Sequence, residues 1–407
     1  YADCLAPCTQ GCPAHVDVQG YIALANMGEY GKAVDLIRET NPLPGICGRI
    51  CVRKCEVVCR RCDVDAPVGI NNIKRYVTDM PEAFDHDPVR EPSRGKSVGI
   101  VGSGPAGLTA AWFLGRKGYD PVIYEALPAP GGMLRYGIPE YRLPKADLDE
   151  EIDYIKKVGA EIRCNMRVGK DITLDQLRAE HGAVFLAPGA MGGKGMYVKG
   201  EDETPGVVRG VDFLLEKTEK PEPMSGTVVV IGGGNTAVDV ARTAWRLNAD
   251  KVIVLYRRTR AEMPADEMEV HDLLEEGIEL MELMAPVGIV RHDDGSLKAL
   301  RCVRMTLGEP DASGRRRPVP QEGSDFDLPC DWAMPSIGQT PLVEELLAGQ
   351  EAEPGVSRWA TFDIDTKTME TNVDGLYAGG DAADDGPTVV IDAIRDGQRA
   401  AKAIHSF

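Results

Sequence analysis

Two stretches of this chain share one grammar, and that repetition limits the fold more than any other feature. Residues 97–126 read SVGIVGSGPAGLTAAWFLGRKGYDPVIYEA: a buried strand, a glycine turn, an apolar helix, a glycine stop and a second strand. Residues 226–258, GTVVVIGGGNTAVDVARTAWRLNADKVIVLYRR, repeat that order. A strand that enters a helix through glycines and returns as a second buried strand builds a βαβ unit on a parallel sheet. Two such units predict an α/β, Rossmann-like fold with two dinucleotide sites.

In the first stretch Gly102, Gly104 and Gly107 form G-x-G-x-x-G, with Ser103, Pro105 and Ala106 completing the turn. The first glycine permits the tight turn, the second lets a pyrophosphate approach the backbone, and the third lets helix pack close on strand. The helix N-terminus then faces the phosphates. Glu125 ends the second strand, 23 residues after Gly102, where a carboxylate accepts bonds from ribose hydroxyls.

In the second stretch Gly232, Gly234 and Ala237 give G-x-G-x-x-A around Asn235 and Thr236. Its second strand ends on Arg257 and Arg258, 25 residues after Gly232, and arginine there suits the 2′-phosphate of NADP(H). The bland alternative is a pair of solvated strand-end arginines. One nucleotide site serves any dehydrogenase. Two in tandem suit a flavin held by one and a nicotinamide presented by the other, with hydride transfer carried by the cofactors and no catalytic side chain required. No Ser/His/Asp set or paired-carboxylate signature opposes this, and the six histidines include no H-x-x-x-H pair.

The cysteines mark a separate region. Cys4, Cys8, Cys12, Cys47, Cys51, Cys55, Cys59 and Cys62 crowd the first segment, while Cys164, Cys302 and Cys330 stand singly and read as buried small hydrophobes. A Pro-, Ser- and charge-rich connector, DPVREPSRGKS at 87–97, divides this segment from the first nucleotide stretch. With 46 basic against 64 acidic residues, the formal charge of -18 argues against nucleic acid and anionic membrane as partners. No apolar run approaches the roughly 20 residues of a spanning helix, and the start lacks a signal-peptide pattern. The expectation is a soluble cytoplasmic protein with no membrane insertion. Its opening on Tyr1 reads as a fragment, or as a chain that has lost a leader.

Three readings compete for the cysteines. Disulfides need an oxidising compartment, which two nucleotide domains without an export signal do not suggest. Structural zinc favours paired C-x2-C knuckles, whereas Cys4/Cys8/Cys12 and Cys51/Cys55/Cys59 are both C-x3-C-x3-C. Iron–sulfur clusters fit best: thiolates hold 4Fe-4S clusters, Pro13 follows Cys12, and a neighbouring flavin supplies electrons. The second nucleotide stretch carries no C-x2-C, which disfavours a thioredoxin-reductase-like disulfide exchange.

Further landmarks are VFLAPGA at 184–190, CDWAMPSIGQTP at 330–341, GGMLRYGIPEYRLPK at 131–145, YRRTRAEMPA at 256–265 and LYAGGDAADDGPTVVIDAIRDGQRAA at 376–401. With these, the whole chain resembles the small subunit of glutamate synthase and its relatives. Among those are the large subunit of NADH-dependent ferredoxin:NADP oxidoreductase and the amino-terminal half of dihydropyrimidine dehydrogenase. The resemblance implies an α-helical double 4Fe-4S N-terminal domain at 1–95, followed by an α/β two-dinucleotide-binding flavoprotein fold. In that fold the FAD-binding domain is split into 96–210 and 336–407, with an NADP(H)-binding domain at 211–335 between them. It implies that Gly132, Met133, Leu134 and Arg135 wrap the flavin, that Gly380 and Asp381 meet its ribityl and phosphate portion, and that Thr388 and Val389 lie near its ring. It also implies two interleaved clusters, one on Cys4, Cys8 and Cys59 and the other on Cys12, Cys51 and Cys55, each short of a fourth ligand. Some relatives place Gln or Glu where this chain has Lys74, and an ammonium is a poor iron ligand. Cys62, and after it Cys47, are the spare thiols expected to fill the gaps.

The expected function is an oxidoreductase subunit, with NADPH favoured over NADH, passing electrons between NADPH, FAD and two 4Fe-4S clusters to a larger catalytic or iron–sulfur subunit. A glutamate synthase small subunit proper and an electron-bifurcating transhydrogenase subunit are the near alternatives. A non-catalytic redox sensor or electron-relay scaffold is the alternative from another class.

Overall fold

The computed structural model describes residues 5–311, 314–351, 353–383 and 389–407, so Cys4 and Thr388 lie outside the described residues. Short helices carry the cysteine segment: α1 (Pro7–Gly11), α2 (Val18–Asn26), α3 (Tyr30–Arg38), α4 (Pro44–Ile50), α5 (Lys54–Val57) and α6 (Ile70–Thr78). Helices of this length are not stable alone. They are held by a core that includes Tyr21, Val34, Ile37, Leu43, Ile46 and Val77, all fully buried. On α6 the inward positions are Ile70, Asn71, Lys74, Val77 and Thr78, one stripe of a helical repeat that includes a lysine.

Next come β1 (Ser97–Val101), α7 (Pro105–Arg116), β2 (Asp120–Tyr124), α8 (Met133–Tyr136), α9 (Lys145–Lys156), β3 (Glu161–Arg163), α10 (Leu174–Glu180) and β4 (Ala183–Leu186). The chain then runs through β5 (Gly192–Gly193), α11 (Gly210–Glu219), β6 (Thr227–Ile231), α12 (Asn235–Arg246), β7 (Lys251–Tyr256), α13 (Glu267–Glu275) and β8 (Glu279–Glu282). There follow β9 (Met284–Arg291), β10 (Leu297–Pro310), β11 (Arg316–Pro320), β12 (Phe326–Pro329), β13 (Trp332–Pro335) and β14 (Gln339–Thr340). The last part holds α14 (Val343–Leu347), β15 (Leu376–Ala378) and α15 (Val390–Ser406).

Two compact units result: residues 1–135, 140–190 and 341–407 form one, and 136–139 with 191–340 form the other. The first unit contains a parallel sheet in the order β15-β4-β1-β2-β3, so the returning chain adds its strand beside β4. Helices cover both faces of such a sheet, which is why β1 reads as an unbroken apolar run and is buried at four of its five positions. The cysteine helices belong to this unit. Glu151 of α9 accepts from the amides of Gly45 (2.6 Å) and Ile46 (3.2 Å) at the start of α4, and Trp112 Nε1 of α7 donates to the Arg38 carbonyl at 3.2 Å. The buried Arg38 guanidinium lies against the rings of Phe84 and Tyr154, 4.5 and 3.9 Å from their centroids.

The second unit joins a parallel sheet, β13-β6-β7-β8, to an antiparallel layer in which β10 pairs with β9, β11 and β12. Alternate residues of β6 serve two cores, as strand geometry dictates. Val228 and Val230 pack with α12 residues such as Val240 and Ala241, while Val229 and Ile231 pack with Leu300, Cys302 and Cys330. Cys302 and Cys330 are thus the buried small hydrophobes expected. Cys164 departs from that expectation: it follows β3, the edge strand of its sheet, and is only half-buried.

Candidate cofactor sites and cysteine sets

The turn after β1 has the form its spacing requires. Gly102 has φ +97°, and a Cβ there would lie 2.3 Å from the Ala187 carbonyl oxygen. Gly104 caps α7 with Pro105 behind it, and no side chain caps the first amides. A Cβ placed on Gly104 would meet no atom within 4 Å, so the space over those amides is open, as a pyrophosphate cradle needs.

Around this turn the structure gathers residues far apart in the chain. The buried Glu125 accepts from the amides of Ser103 (3.0 Å) and Leu127 (2.8 Å) and from the Ser103 hydroxyl, so it braces the turn from below. Ser103 Oγ accepts in turn from the Gly131 amide at 2.9 Å, and a Cβ on Gly132 would stand 3.0 Å from Gly104 Cα. A Cβ on Gly380 would stand 3.2 Å from that of Ala106. Burial, reinforced by the charge of Asp396, pushes the Asp381 carboxyl up to about 7. Leu134 is buried, Met133 opens α8, and Val389 is the extended residue before α15. Arg135 is committed to the protein: its Nε donates to the Pro130 carbonyl at 2.6 Å and its guanidinium pairs with Asp149.

In the second unit Gly234 caps α12, again without a capping side chain and with nothing within 4 Å of an added Cβ. Asn235 Oδ1 accepts from the Asp266 amide at 2.9 Å and so ties the 259–266 loop to the turn; Thr236 is half-buried and Ala237 fully buried. The two arginines that follow β7 part company. Arg257 is exposed, whereas Arg258 is buried, with Nη2 2.6 Å from Asp311 Oδ2 and Nε donating to the Arg316 carbonyl at 2.7 Å. The pair sits in the bend that follows β7, and this bend turns Arg258 inward onto the hairpin while leaving Arg257 in solvent. Arg260, exposed at the start of the turn capped by Thr259 and Glu262, is a further cation that the motif reading stopped short of.

The described cysteines fall into two sets. Cys8 lies near enough to Cys59 for their charges to interact, and Cys12 stands likewise with Cys51 and Cys55. The elements that meet are α1 and α5; a Cβ on Gly11 would lie 2.5 Å from the Val58 side chain. Burial pushes the Cys51 thiol up, and the Cys55 thiol up to about 11, with the Lys74 ammonium pulling both back. Lys74 is 3% exposed and faces Cys47, Cys51, Cys12 and Cys55; burial works against its charge, but the sulfurs hold its pKa above the ordinary lysine value. A buried cation among thiols suits a site whose thiolates and inorganic sulfides carry net negative charge. Cys47 is fully buried beside Cys51 and Lys74, while Cys62 is exposed and its Sγ rests 3.7 Å from the Glu56 carbonyl. Tyr21, fully buried, stands near Cys55, Cys12 and Cys8. In the sequence it reads as an ordinary core aromatic of α2.

Two nucleotide turns on parallel sheets, with a cysteine-rich helical segment built into the first unit, define an oxidoreductase that binds two dinucleotides and carries an iron–sulfur segment. Residues 96–397 match the family described as pyridine nucleotide-disulphide oxidoreductase, and residues 2–85 match dihydropyrimidine dehydrogenase domain II, 4Fe-4S cluster. The chain belongs to the pyridine nucleotide-disulphide oxidoreductase family, with a 4Fe-4S domain ahead of the nucleotide-binding region. It is 42% identical to the NADP(+)-dependent formate dehydrogenase subunit beta of Moorella thermoacetica over 99% of this chain, but spans only 60% of that relative's length. It is 36% identical to the glutamate synthase [NADPH] small chain of Azospirillum brasilense, over 98% of this chain and 86% of the relative. The fold resembles that of Mycobacterium tuberculosis FprA, solved in complex with NADPH, at a TM-score of 0.65 and 18% identity, over 77% of this chain and 84% of FprA. The expected fold class and the expected kinship with glutamate synthase small subunits are borne out. Among the described residues, no helix is long and apolar enough to cross a membrane.

Proposed function

We propose that this chain is the electron-transfer part of an NADPH-dependent oxidoreductase, taking reducing equivalents from NADPH and delivering them singly to a larger catalytic or iron–sulfur partner subunit. The observation that carries the reading is the convergence, in one unit, of the open glycine turn 102–107, Glu125, Gly131, Gly132 and Gly380, with the cysteine helices packed into the same unit. FAD held in that cradle would supply hydride exchange with a nicotinamide and one-electron transfer toward 4Fe-4S clusters held by the cysteines.

Gly102–Gly107 and Gly380–Asp381 hold the flavin nucleotide, and Gly232–Gly234 with Asn235 and Thr236 hold NADP(H). Arg257 and Arg260, the exposed cations after β7, grip the 2′-phosphate; Arg258 holds the hairpin beside them. Two clusters are bound in interleaved fashion, Cys8 and Cys59 with Cys4 in one, and Cys12, Cys51 and Cys55 in the other. Cys47 completes the second set, in preference to Cys62, because it is the buried thiol beside Cys51. Cys62 completes the first. Domain limits near 95, 210 and 335 assign residues 191–210 and 336–340 to the flavin domain, although these pack in the second compact unit. Cysteines that hold 4Fe-4S clusters rather than disulfides suit a reducing compartment such as the cytoplasm.

An anaerobic absorbance titration of the purified protein tests this. NADPH should bleach flavin bands and then the broad iron–sulfur absorbance, with NADH much slower. Absence of flavin bands defeats the reading, and flavin without iron–sulfur absorbance defeats the cysteine assignment.

A further inference from the structure

Lys54 opens α5 between Cys51 and Cys55. The residue before it, Arg53, adopts the left-handed conformation (φ 55°, ψ 39°), so the chain turns sharply between the two cysteines. From this turn Lys54 Nζ donates to Asp392 Oδ2 at 2.7 Å, in the first turn of α15. The chain of partners goes on. Asp392 Oδ1 lies 3.4 Å from Arg395 Nη1, Arg395 Nη2 donates to Asp396 Oδ1 at 2.9 Å, and Asp396 Oδ2 accepts from the Gly380 amide at 3.3 Å. The same helix reaches the other cysteine block, since Gln398 Nε2 donates to the carbonyls of Thr40 and, at 3.5 Å, of Ala14, two residues after Cys12. Helix α15 is therefore bonded to the Cys51–Cys55 turn, to Ala14 just beyond the first cysteine block, and to the glycine that adjoins Asp381.

We propose that Lys54 is a positioning residue that registers the Cys51–Cys55 turn on α15 and, through Asp392, Arg395 and Asp396, on the flavin cradle. This rests on the flavin and iron–sulfur reading above. Stability does not account for the pair: the Lys54 side chain is 45% exposed, and ion pairs so exposed add little to folding. Geometry does. Asp392 is 11% exposed and already faces Arg395, so its carboxylate has a fixed direction, and Lys54 can satisfy it only with the cysteine turn in one place. Electron transfer depends on that placement, as any preorganised redox site does.

The test uses the purified full chain with its cofactors and three readouts: hydrogen–deuterium exchange of residues 52–58, the EPR spectrum of the reduced clusters, and stopped-flow electron transfer from flavin to cluster. Lys54→Ala and Asp392→Asn should each raise exchange and slow the transfer by about five-fold or more, and alter the EPR line shape. Iron content, flavin content and the rate of flavin reduction by NADPH should stay within about two-fold of wild type, and Lys54→Arg, which keeps charge and reach, should restore all three readouts. Wild-type exchange and transfer in a variant that retains its iron overturn the proposal. Loss of iron from both variants overturns it as well, because the pair would then serve cluster loading. A wild-type protein lacking flavin or iron–sulfur absorbance instead sinks the reading on which the proposal rests.

Discussion

At the scale of single residues, the two arginines that follow β7 offer a test that separates the proposed phosphate contact from structural support. Arg257→Ala should raise KM for NADPH roughly ten- to a hundred-fold and leave that for NADH unchanged, since a charged hydrogen bond to a phosphate contributes about 1.5–3 kcal/mol. Arg258→Ala should instead lower stability by about 1.5–3 kcal/mol, read as a lower urea midpoint, because it removes the buried guanidinium that bonds Asp311 and the Arg316 carbonyl. Steady-state kinetics and urea unfolding of the same two variants distinguish the roles. An adjacent pair of arginines was legible in the sequence, but not that the bend after β7 buries one and exposes the other, because that depends on the hairpin carrying Asp311 and Arg316 far along the chain. Cys47→Ser provides a second test at this scale. If Cys47 completes the Cys12, Cys51 and Cys55 set, iron per protein should fall and the EPR signal of one cluster should change, whereas Cys62→Ser should affect only the other.

At the scale of elements, two carboxylates predict opposite responses to pH. Burial raises the Glu151 carboxyl from 4.5 to about 7, against the pull of Arg38 and of the α4 amides. A folded pKa above the unfolded one means that the associated stability is whole below about pH 4.5 and is lost as pH rises through 7. Glu151→Gln should flatten that dependence, as read from urea midpoints between about pH 5 and 8. In the second unit the case is reversed. Burial opposes ionisation of Glu276, but hydrogen bonds from Arg246 and Arg242 outweigh it and hold the carboxyl down at about 2. Its contribution is present above pH 4.5 and is lost as pH falls towards 2, and Glu276→Gln should cost about 2 kcal/mol at neutral pH after allowance for solvent screening. The helix α12 was expected from the strand–helix–strand order of the second glycine stretch, whereas α13 was not read in advance. The ion-pair cluster between them was not, because Arg242 and Glu276 are 34 residues apart.

For the whole molecule, an open glycine turn and a matching closing segment predict that flavin is part of the folded structure. Stripping FAD should lower the melting temperature, and FAD restored at a hundred times its Kd should return about 2.7 kcal/mol; a thermal scan insensitive to FAD would contradict the cradle. Much of this architecture was readable in advance. Two βαβ units, their glycines, the cysteine spacing and the likeness to glutamate synthase small subunits all follow from residues within a few turns of one another, where period and spacing carry the information. Other features were decided only by the tertiary structure. Glu125 is drawn under the glycine turn as a brace, Lys74 is placed among four thiols, Cys47 is buried beside Cys51 while Cys62 is left exposed, and Lys54 is joined to Asp392 across 338 residues. Each of these depends on which surfaces meet once the apolar faces are buried, and a linear pattern does not encode that choice: it specifies what must be hidden, while packing alone determines which polar groups are hidden together.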